Sequence, residues 1–157
     1  MLKVQISRGG SVPFEFRVAA DSFCGKNFLD NGEFIGDIEI SGEIVDDGLK
    51  CVTRGKIKCR KQFSCDRCLT QSTENQVIDF DEEIERADIV EDYVELTELV
   101  RDNLIASQPI QNLCRADCKG LCPVCGKNLN DGACECENFK IDPRLAPLMN
   151  FKSFEEV

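Results

Sequence analysis

Cysteine constrains this chain more than any other residue type, because its 157 residues include 11 cysteines and no histidine. The C-terminal part carries six of them in the pattern Cys114-x3-Cys118-x3-Cys122-x2-Cys125-x8-Cys134-x-Cys136. This part lacks the periodicity of a helix or strand and has too few apolar residues to form a core of its own. Four thiolates arranged as a tetrahedron hold zinc in structural sites. We therefore expect a metal to organise the C-terminal segment.

A further pair, Cys65 and Cys68, has the same two-residue spacing as Cys122 and Cys125. This spacing lets two thiolates wrap one side of a metal, and Gly126 suits the tight turn of such a knuckle. Eight thiolates suffice for one or two zinc ions. Chain proximity predicts two sites, although ligands could be exchanged between them: Cys122, Cys125, Cys134 and Cys136 form the first, and Cys65, Cys68, Cys114 and Cys118 form the second.

The cysteines also admit other interpretations. Cys24, Cys51 and Cys59 are expected to be buried as small apolar side chains. The pair Cys122 and Cys125 resembles the motif of a thiol oxidoreductase, which is the alternative function, although that motif normally lies at a strand-to-helix turn. Four cysteines can also hold an iron–sulfur cluster. Zinc is the preferred cofactor.

The absence of histidine excludes several kinds of catalytic site, namely Ser-His-Asp and Cys-His nucleophile systems and a histidine general base. No carboxylate motif stands out either, so we expect no enzymatic activity and no small-molecule substrate. The sequence has no apolar run long enough to span a membrane and no apolar signal core at its start. These features predict a cytoplasmic protein in a reducing compartment, where paired cysteines more often hold metal than form disulfides.

Alternating apolar residues and turn signals predict an α+β fold, mainly an antiparallel β-sheet or partial barrel with one main helix and a Cys-rich, zinc-organised C-terminal segment. Residues 1–110 would form the β-rich domain, and residues 111–157 would form the zinc-binding segment packed on it. A short terminal helix is expected to begin at Asp142. The expected strands and main helix cover residues 1–6, 12–18, 34–45, 50–63, 73–85 and 95–107.

Charge is unevenly distributed along the chain, whose net charge is −10. The strand expected over residues 50–63 has lysine and arginine at even positions and mainly apolar residues at odd positions, which places the two sets on opposite faces. The next strand has acids at odd positions. If the turn closes between Cys65 and Cys68, Arg54 lies opposite Asp79.

Two interpretations of these charges stay open. Cross-strand ion pairs on a solvated face explain much of the pattern. The other interpretation is a contact with ribosomal RNA, for which a local basic patch matters more than the net charge. The candidate RNA contacts are Lys56, Lys58, Arg60, Lys61 and Arg67.

Three segments carry a resemblance to a known family. They are Cys65-Asp66-Arg67-Cys68-Leu69, the cysteine-rich run over residues 114–130, and Asp142-Pro143-Arg144-Leu145-Ala146-Pro147-Leu148. Together they resemble the YceD family of large ribosomal RNA subunit accumulation proteins. The resemblance implies a non-enzymatic role in 23S ribosomal RNA synthesis or accumulation and in large ribosomal subunit biogenesis. It implies ribosomal RNA or a pre-ribosomal particle as partner, and the acidic stretch 79–98 would suit a basic ribosomal protein.

Overall fold

A computed structural model of the protein describes residues 1–25, 28–86, 89, 91–136 and 144. The terminal helix expected at Asp142 and the tail after it lie outside these residues. The helices and strands follow in chain order as β1 Lys3–Gln5, β2 Ser11–Ala19, α1 Ala20–Cys24, β3 Glu33–Asp46, β4 Lys50–Ser64, β5 Gln71–Glu85, β6 Tyr93–Glu95 and α2 Thr97–Ala106.

Two antiparallel sheets form the framework. One has four strands in the order β2-β3-β4-β5, so each strand pairs with its neighbour in sequence, and the other pairs β1 with β6. The mainly antiparallel architecture expected from the sequence is confirmed. The partial barrel is not confirmed, because neither sheet is closed among the described residues. Within those residues, no helix is long and apolar enough to cross a membrane.

The core lies on one face of the four-stranded sheet, where the apolar residues of each strand alternate with polar ones. Ile38, Ile40 and Ile44 on β3 are fully buried, as their even parity predicts. Ile57 on β4 is buried against them, and residues of β1, β6 and α2 join the same apolar cluster. We call this the inner face of the sheet, and the opposite, polar side the outer face.

The β4–β5 register differs from the expected one. Arg54 lies opposite Asp81 rather than Asp79, because the last pair of the ladder is Ser64 with Gln71. The six intervening residues, 65–70, form a loop that is wider than the turn we expected. A shift by two residues keeps every side chain on its own face, so the assignment of inner and outer faces holds.

Two short elements were missed in the sequence. No helix or strand was expected between residues 18 and 34, but α1 lies there and buries Ala20 and Cys24. Strand β6 has only three residues, which is too short to show a period, and it is defined by its pairing with β1. β1 therefore pairs with a strand about 90 residues away rather than with β2.

A pair of facing glycines sets a sharp packing constraint in the middle of the sheet. Gly42 lies opposite Gly55, and the ring of Phe14 covers Gly42. A Cβ at Gly42 would lie 2.2 Å from the carbonyl oxygen of Arg54 and 2.8 Å from the Phe14 ring. We expect Gly42→Val to lower the free energy of unfolding in urea by about 3 kcal/mol.

Ser41→Val is the matched control for this substitution, since Ser41 is the neighbouring residue on the exposed outer face. The control should change the free energy of unfolding by about 0.5 kcal/mol or less. Equal stability of the two variants would contradict the close packing at the glycine pair.

Candidate metal centres and basic surface

The structure brings eight cysteines together in two groups of four, the same division that chain proximity predicts. Within each group, all four Sγ atoms lie within 4.8 Å of one another, so each group can hold a metal ion. Site A consists of Cys65, Cys68, Cys114 and Cys118, and site B consists of Cys122, Cys125, Cys134 and Cys136.

The sulfur spacing in site A fits one tetrahedral ion. The Sγ atoms of Cys65 and Cys118 are 3.8 Å apart, and those of Cys68 and Cys114 are 3.6 Å apart. A disulfide would need about 2.05 Å. Four sulfurs at about 2.3 Å from a tetrahedral zinc lie about 3.8 Å from one another. An iron–sulfur cluster distributes its cysteines over several irons and so holds the sulfurs further apart, which makes a single ion the better fit.

The two CxxC knuckles, residues 65–70 and 122–127, share one backbone geometry. The N–H of Leu69 donates to the carbonyl of Cys65 at 2.8 Å, and the N–H of Gly126 donates to the carbonyl of Cys122 at 2.9 Å. The N–H of each first cysteine donates to the carbonyl five residues later, at 3.0 and 2.8 Å. The same hydrogen-bonded loop therefore presents two thiols in each site.

Asp66 ties the first knuckle to the segment after α2. Its carboxylate accepts hydrogen bonds at 2.6 Å from the Asn31 amide and from the backbone N–H of Asn112, and its own N–H donates to the Asn112 carbonyl at 2.9 Å. The Lys61 ammonium donates to the Asn112 side chain at 2.6 Å. These bonds explain how Cys114, far away in sequence, comes to lie beside the hairpin tip.

Sequence reasoning missed this network. Asp66 lies between two candidate ligands, which was a signal, but Asn31 and Asn112 have no motif that links them to it. The parity of Lys61 was a second signal. It is an odd position of β4, and odd positions face inward.

Backbone donors favour the thiolate form at the start of each knuckle. Burial raises the pKa of Cys65, but hydrogen bonds from the backbone of Cys114, Cys68 and Arg67 outweigh it and lower the pKa to about 6. Backbone N–H groups of Cys125 and Val124 likewise lower the pKa of Cys122 to about 6. The thiolate is the metal-binding form, so these two cysteines are prepared for a cation.

One cysteine in each site behaves in the opposite way. Burial and hydrogen bonds with the neighbouring thiols raise the pKa of Cys114 to about 12. Hydrogen bonding with Cys125, together with burial, raises the pKa of Cys136 to about 12. Four thiolates repel one another at this distance, and a divalent cation at the centre removes that repulsion.

The two sites differ in exposure and are linked directly. Three of the four cysteines of site A are buried, whereas Cys125 of site B is exposed. The Asn130 amide donates to Sγ of Cys118 at 3.4 Å, and the N–H of Leu121 donates to the carbonyl of Arg67 at 3.1 Å. The loop of site B therefore rests on the backbone of site A.

The other three cysteines belong to neither site. Cys24, Cys51 and Cys59 are 7%, 0% and 6% exposed, which confirms the expectation that they are buried in the core. Burial raises the pKa of both Cys24 and Cys59 to about 11.

The raised pKa values predict a pH dependence of stability. An ordinary thiol has a pKa of 9.0, so above pH 9 these two thiols ionise in the unfolded chain before they ionise in the folded one. The unfolded state then binds fewer protons, and the free energy of unfolding falls as pH rises from about 9 to about 11. In urea titrations, the Cys24→Ala/Cys59→Ala variant should show a smaller fall than the wild type. Identical pH profiles would contradict the prediction.

The structure divides the candidate RNA contacts. Lys56, Lys58, Arg60 and Arg67 are exposed, but Lys61 is 1% exposed. Its ammonium lies on the inner face and donates to Gln108 at 2.7 Å. Including Lys61 among the RNA contacts was therefore wrong.

Ion pairs neutralise the basic residues of the outer face in the first half of β4 only. The lysine or arginine nitrogen lies 2.6–2.9 Å from an acid of β5 in the pairs Lys50–Glu83, Arg54–Asp81 and Lys56–Asp79. The ion-pair interpretation is confirmed for these three residues. One of these three paired residues, Lys56, is also a candidate RNA contact.

The second half of β4 is different. Lys58 and Arg60 make no ion pair within the described part of the chain, and their partners across β5 are Val77 and Asn75. On the β3 side, Lys58 faces Glu39, but that carboxylate already pairs with an arginine of β2 at 2.6 Å. Positive charge is therefore uncompensated on the half of β4 that leads to site A.

Comparison with known proteins places the chain in a family. Residues 53–152 match the family described as Large ribosomal RNA subunit accumulation protein YceD. This chain belongs to the YceD family. The YceD match includes most of β4, all of β5 and α2, and every cysteine of both sites. The resemblance seen in the sequence is thereby confirmed.

A relative of this YceD chain is known by name in Arabidopsis thaliana, where it is called Large ribosomal RNA subunit accumulation protein YCED homolog 1, chloroplastic. The two are 32% identical over 59 residues, which is 38% of this chain and 18% of the plant protein. The match thus spans less than a fifth of that relative. No solved structure gives a significant match.

Proposed function

We propose that the protein is a non-enzymatic factor for 23S ribosomal RNA accumulation that contacts the RNA directly during large ribosomal subunit biogenesis in the cytoplasm. The observation that carries the proposal is the uncompensated charge that runs from the second half of β4 to the first knuckle, where Lys58, Arg60 and Arg67 are exposed. Phosphate contacts depend on such cations. The family name supports large-subunit ribosomal RNA as the partner, and the positions of the charges suggest where that RNA binds.

In this proposal, each site holds one zinc ion in a structural role. Zinc with four thiolate ligands has no open coordination position, so it supplies folding energy rather than catalysis. The chain itself supplies the thiolates at the two knuckles and the Asp66 network that orients them. Residues 1–110 then form the supporting β-rich domain, and residues 111–157 form the zinc-binding segment packed on it. A thiol oxidoreductase is not proposed, because Cys122 and Cys125 are grouped with two further thiols.

The charged surface favours RNA over a basic protein as the partner at this end of the sheet. Gln71, Thr73 and Asn75 on the outer face of β5 are exposed and uncharged, and they offer hydrogen-bonding groups next to the cations. On the outer face of β5 the acids begin only at Asp79, and Asp79, Asp81 and Glu83 already pair with cations of β4. An RNA strand can therefore approach the knuckle end of the outer face without crossing the acids of β5 on that face.

Affinity purification of the tagged protein tests the proposal. Precursor 23S RNA should be enriched over 16S RNA, and ribonuclease treatment should release the bound ribosomal proteins. A protein that captures neither ribosomal RNA nor ribosomal proteins above a control would contradict the proposed function. Ribosomal proteins that stay bound after ribonuclease treatment would contradict the direct RNA contact.

A further inference from the structure

Leu69 occupies a backbone conformation that leucine disfavours. Its φ is +59°, in the left-handed region, and the equivalent residue of the second knuckle is Gly126 with φ +73°. Glycine has no Cβ and adopts this region without strain, whereas other residues are destabilised there. The second knuckle thus has glycine, which suits this conformation, at the position where the first knuckle has leucine, which does not.

The fold gains little from the leucine side chain. Leu69 is 64% exposed. It is not among the side chains that pack against the buried thiols of site A, where Leu113 and Leu121 fill that role. Strained residues that structural packing does not explain occur preferentially at binding sites. The leucine is therefore better explained by a contact outside the molecule.

Arg67 lies two residues earlier on the same loop and is exposed as well. Its guanidinium donates a hydrogen bond to the Cys118 carbonyl at 3.1 Å, which fixes the planar group beside site A. The loop therefore carries a guanidinium plane, on which nucleobases stack, two residues from an exposed apolar side chain.

We propose that Leu69 and Arg67 hold an unpaired base of the RNA. The inference rests on the proposed RNA contact and specifies the kind of RNA that is bound, namely RNA with a base displaced from the helix, as in a bulge or loop. In this arrangement Lys58 and Arg60 contact phosphates, and such contacts do not distinguish one RNA sequence from another. The knuckle contacts the base itself. Leucine is among the apolar side chains that insert between bases in protein–DNA complexes.

The substitution Leu69→Gly separates this role from a structural one, because it should stabilise the protein while it weakens binding. We expect Tm to rise by about 2–4 °C, since the strain is relieved. The probes are an RNA hairpin with one bulged adenine and the fully paired hairpin of the same length. Affinity for the bulged hairpin should fall about fivefold or more, and affinity for the paired hairpin should not change.

Two further variants complete the test. Leu69→Asn tolerates the left-handed conformation and should show the same selective loss. Leu49→Gly removes a leucine that is 82% exposed at the far end of β4, and its binding should match the wild type. If Leu69→Gly retains the wild-type preference for the bulged hairpin, the proposed base contact is wrong. In that case, weaker binding of the Lys58→Gln/Arg60→Gln variant to both hairpins would still support the proposed function. If the wild type binds neither hairpin nor 23S RNA, both proposals fail.

Discussion

Replacing Cys65 with serine is expected to empty site A and to detach residues 111–136 from the four-stranded sheet. Cys65 is fully buried, and its sulfur lies 3.8 Å from that of Cys118 across the junction between the knuckle and this segment. Serine does not ionise to replace the thiolate. A structural zinc contributes on the order of 10 kcal/mol to the folding of its segment. The loss of folding free energy in this segment should therefore exceed the loss caused by truncating any core side chain of this protein.

Two measurements report this loss. Zinc per chain should fall from two to one, and amide hydrogen exchange over the segment should accelerate while the core strand β3 remains protected. Cys59→Ala is the control, because Cys59 is 6% exposed and belongs to neither site. It should keep both zinc ions and lower the free energy of unfolding by about 1–2 kcal/mol. Full metal content in the Cys65→Ser variant would show that Cys65 is not a ligand.

Removing the two uncompensated cations of β4 is expected to weaken RNA binding strongly. The Lys58→Gln/Arg60→Gln variant loses two candidate phosphate contacts. Its affinity for 23S RNA should fall about tenfold or more at low salt. The slope of log affinity against log salt concentration should decrease in magnitude by about 2, since fewer counterions are released.

The matched control removes the same charge from the same face of the same strand. In Lys50→Gln/Lys56→Gln, both lysines already pair with acids of β5, at 2.6 and 2.9 Å. Affinity should change about twofold or less, and stability by less than about 1 kcal/mol per pair. Equal effects of the two double variants would mean that net charge, rather than the position of these cations, determines binding.

The sequence allowed the faces of the sheet and the grouping of the cysteines to be predicted. Parity determines on which side of a strand a residue lies, so the burial of Ile40 and Ile57 followed from their positions alone. The cysteine groups followed because close spacing restricts which thiols can meet. α2 was also predicted, since Val100 and Leu104 recur at helical spacing and both are buried.

Features set by tertiary contacts were not accessible in the same way. The β4–β5 register depended on the length of the knuckle loop, which its hydrogen bonds fix and which no periodicity encodes. The pairing of β1 with β6 joins two three-residue strands across most of the chain. The hydrogen bonds of Asp66 depend on where Asn31 and Asn112 meet in space. The strained backbone of Leu69 has no sequence signal except its alignment with Gly126 in the second knuckle.

Ultraviolet crosslinking in growing cells tests the central claim most directly, namely that the surface from Lys58 to Leu69 contacts large-subunit RNA. The RNA attached to the purified protein would be sequenced, and the crosslinked peptides would be mapped. We predict reads from 23S RNA in excess of 16S RNA, with crosslinks concentrated between Lys58 and Leu69. Reads without preference for 23S RNA, or crosslinks confined to the opposite end of the sheet around Asp47, would contradict a direct contact at this surface.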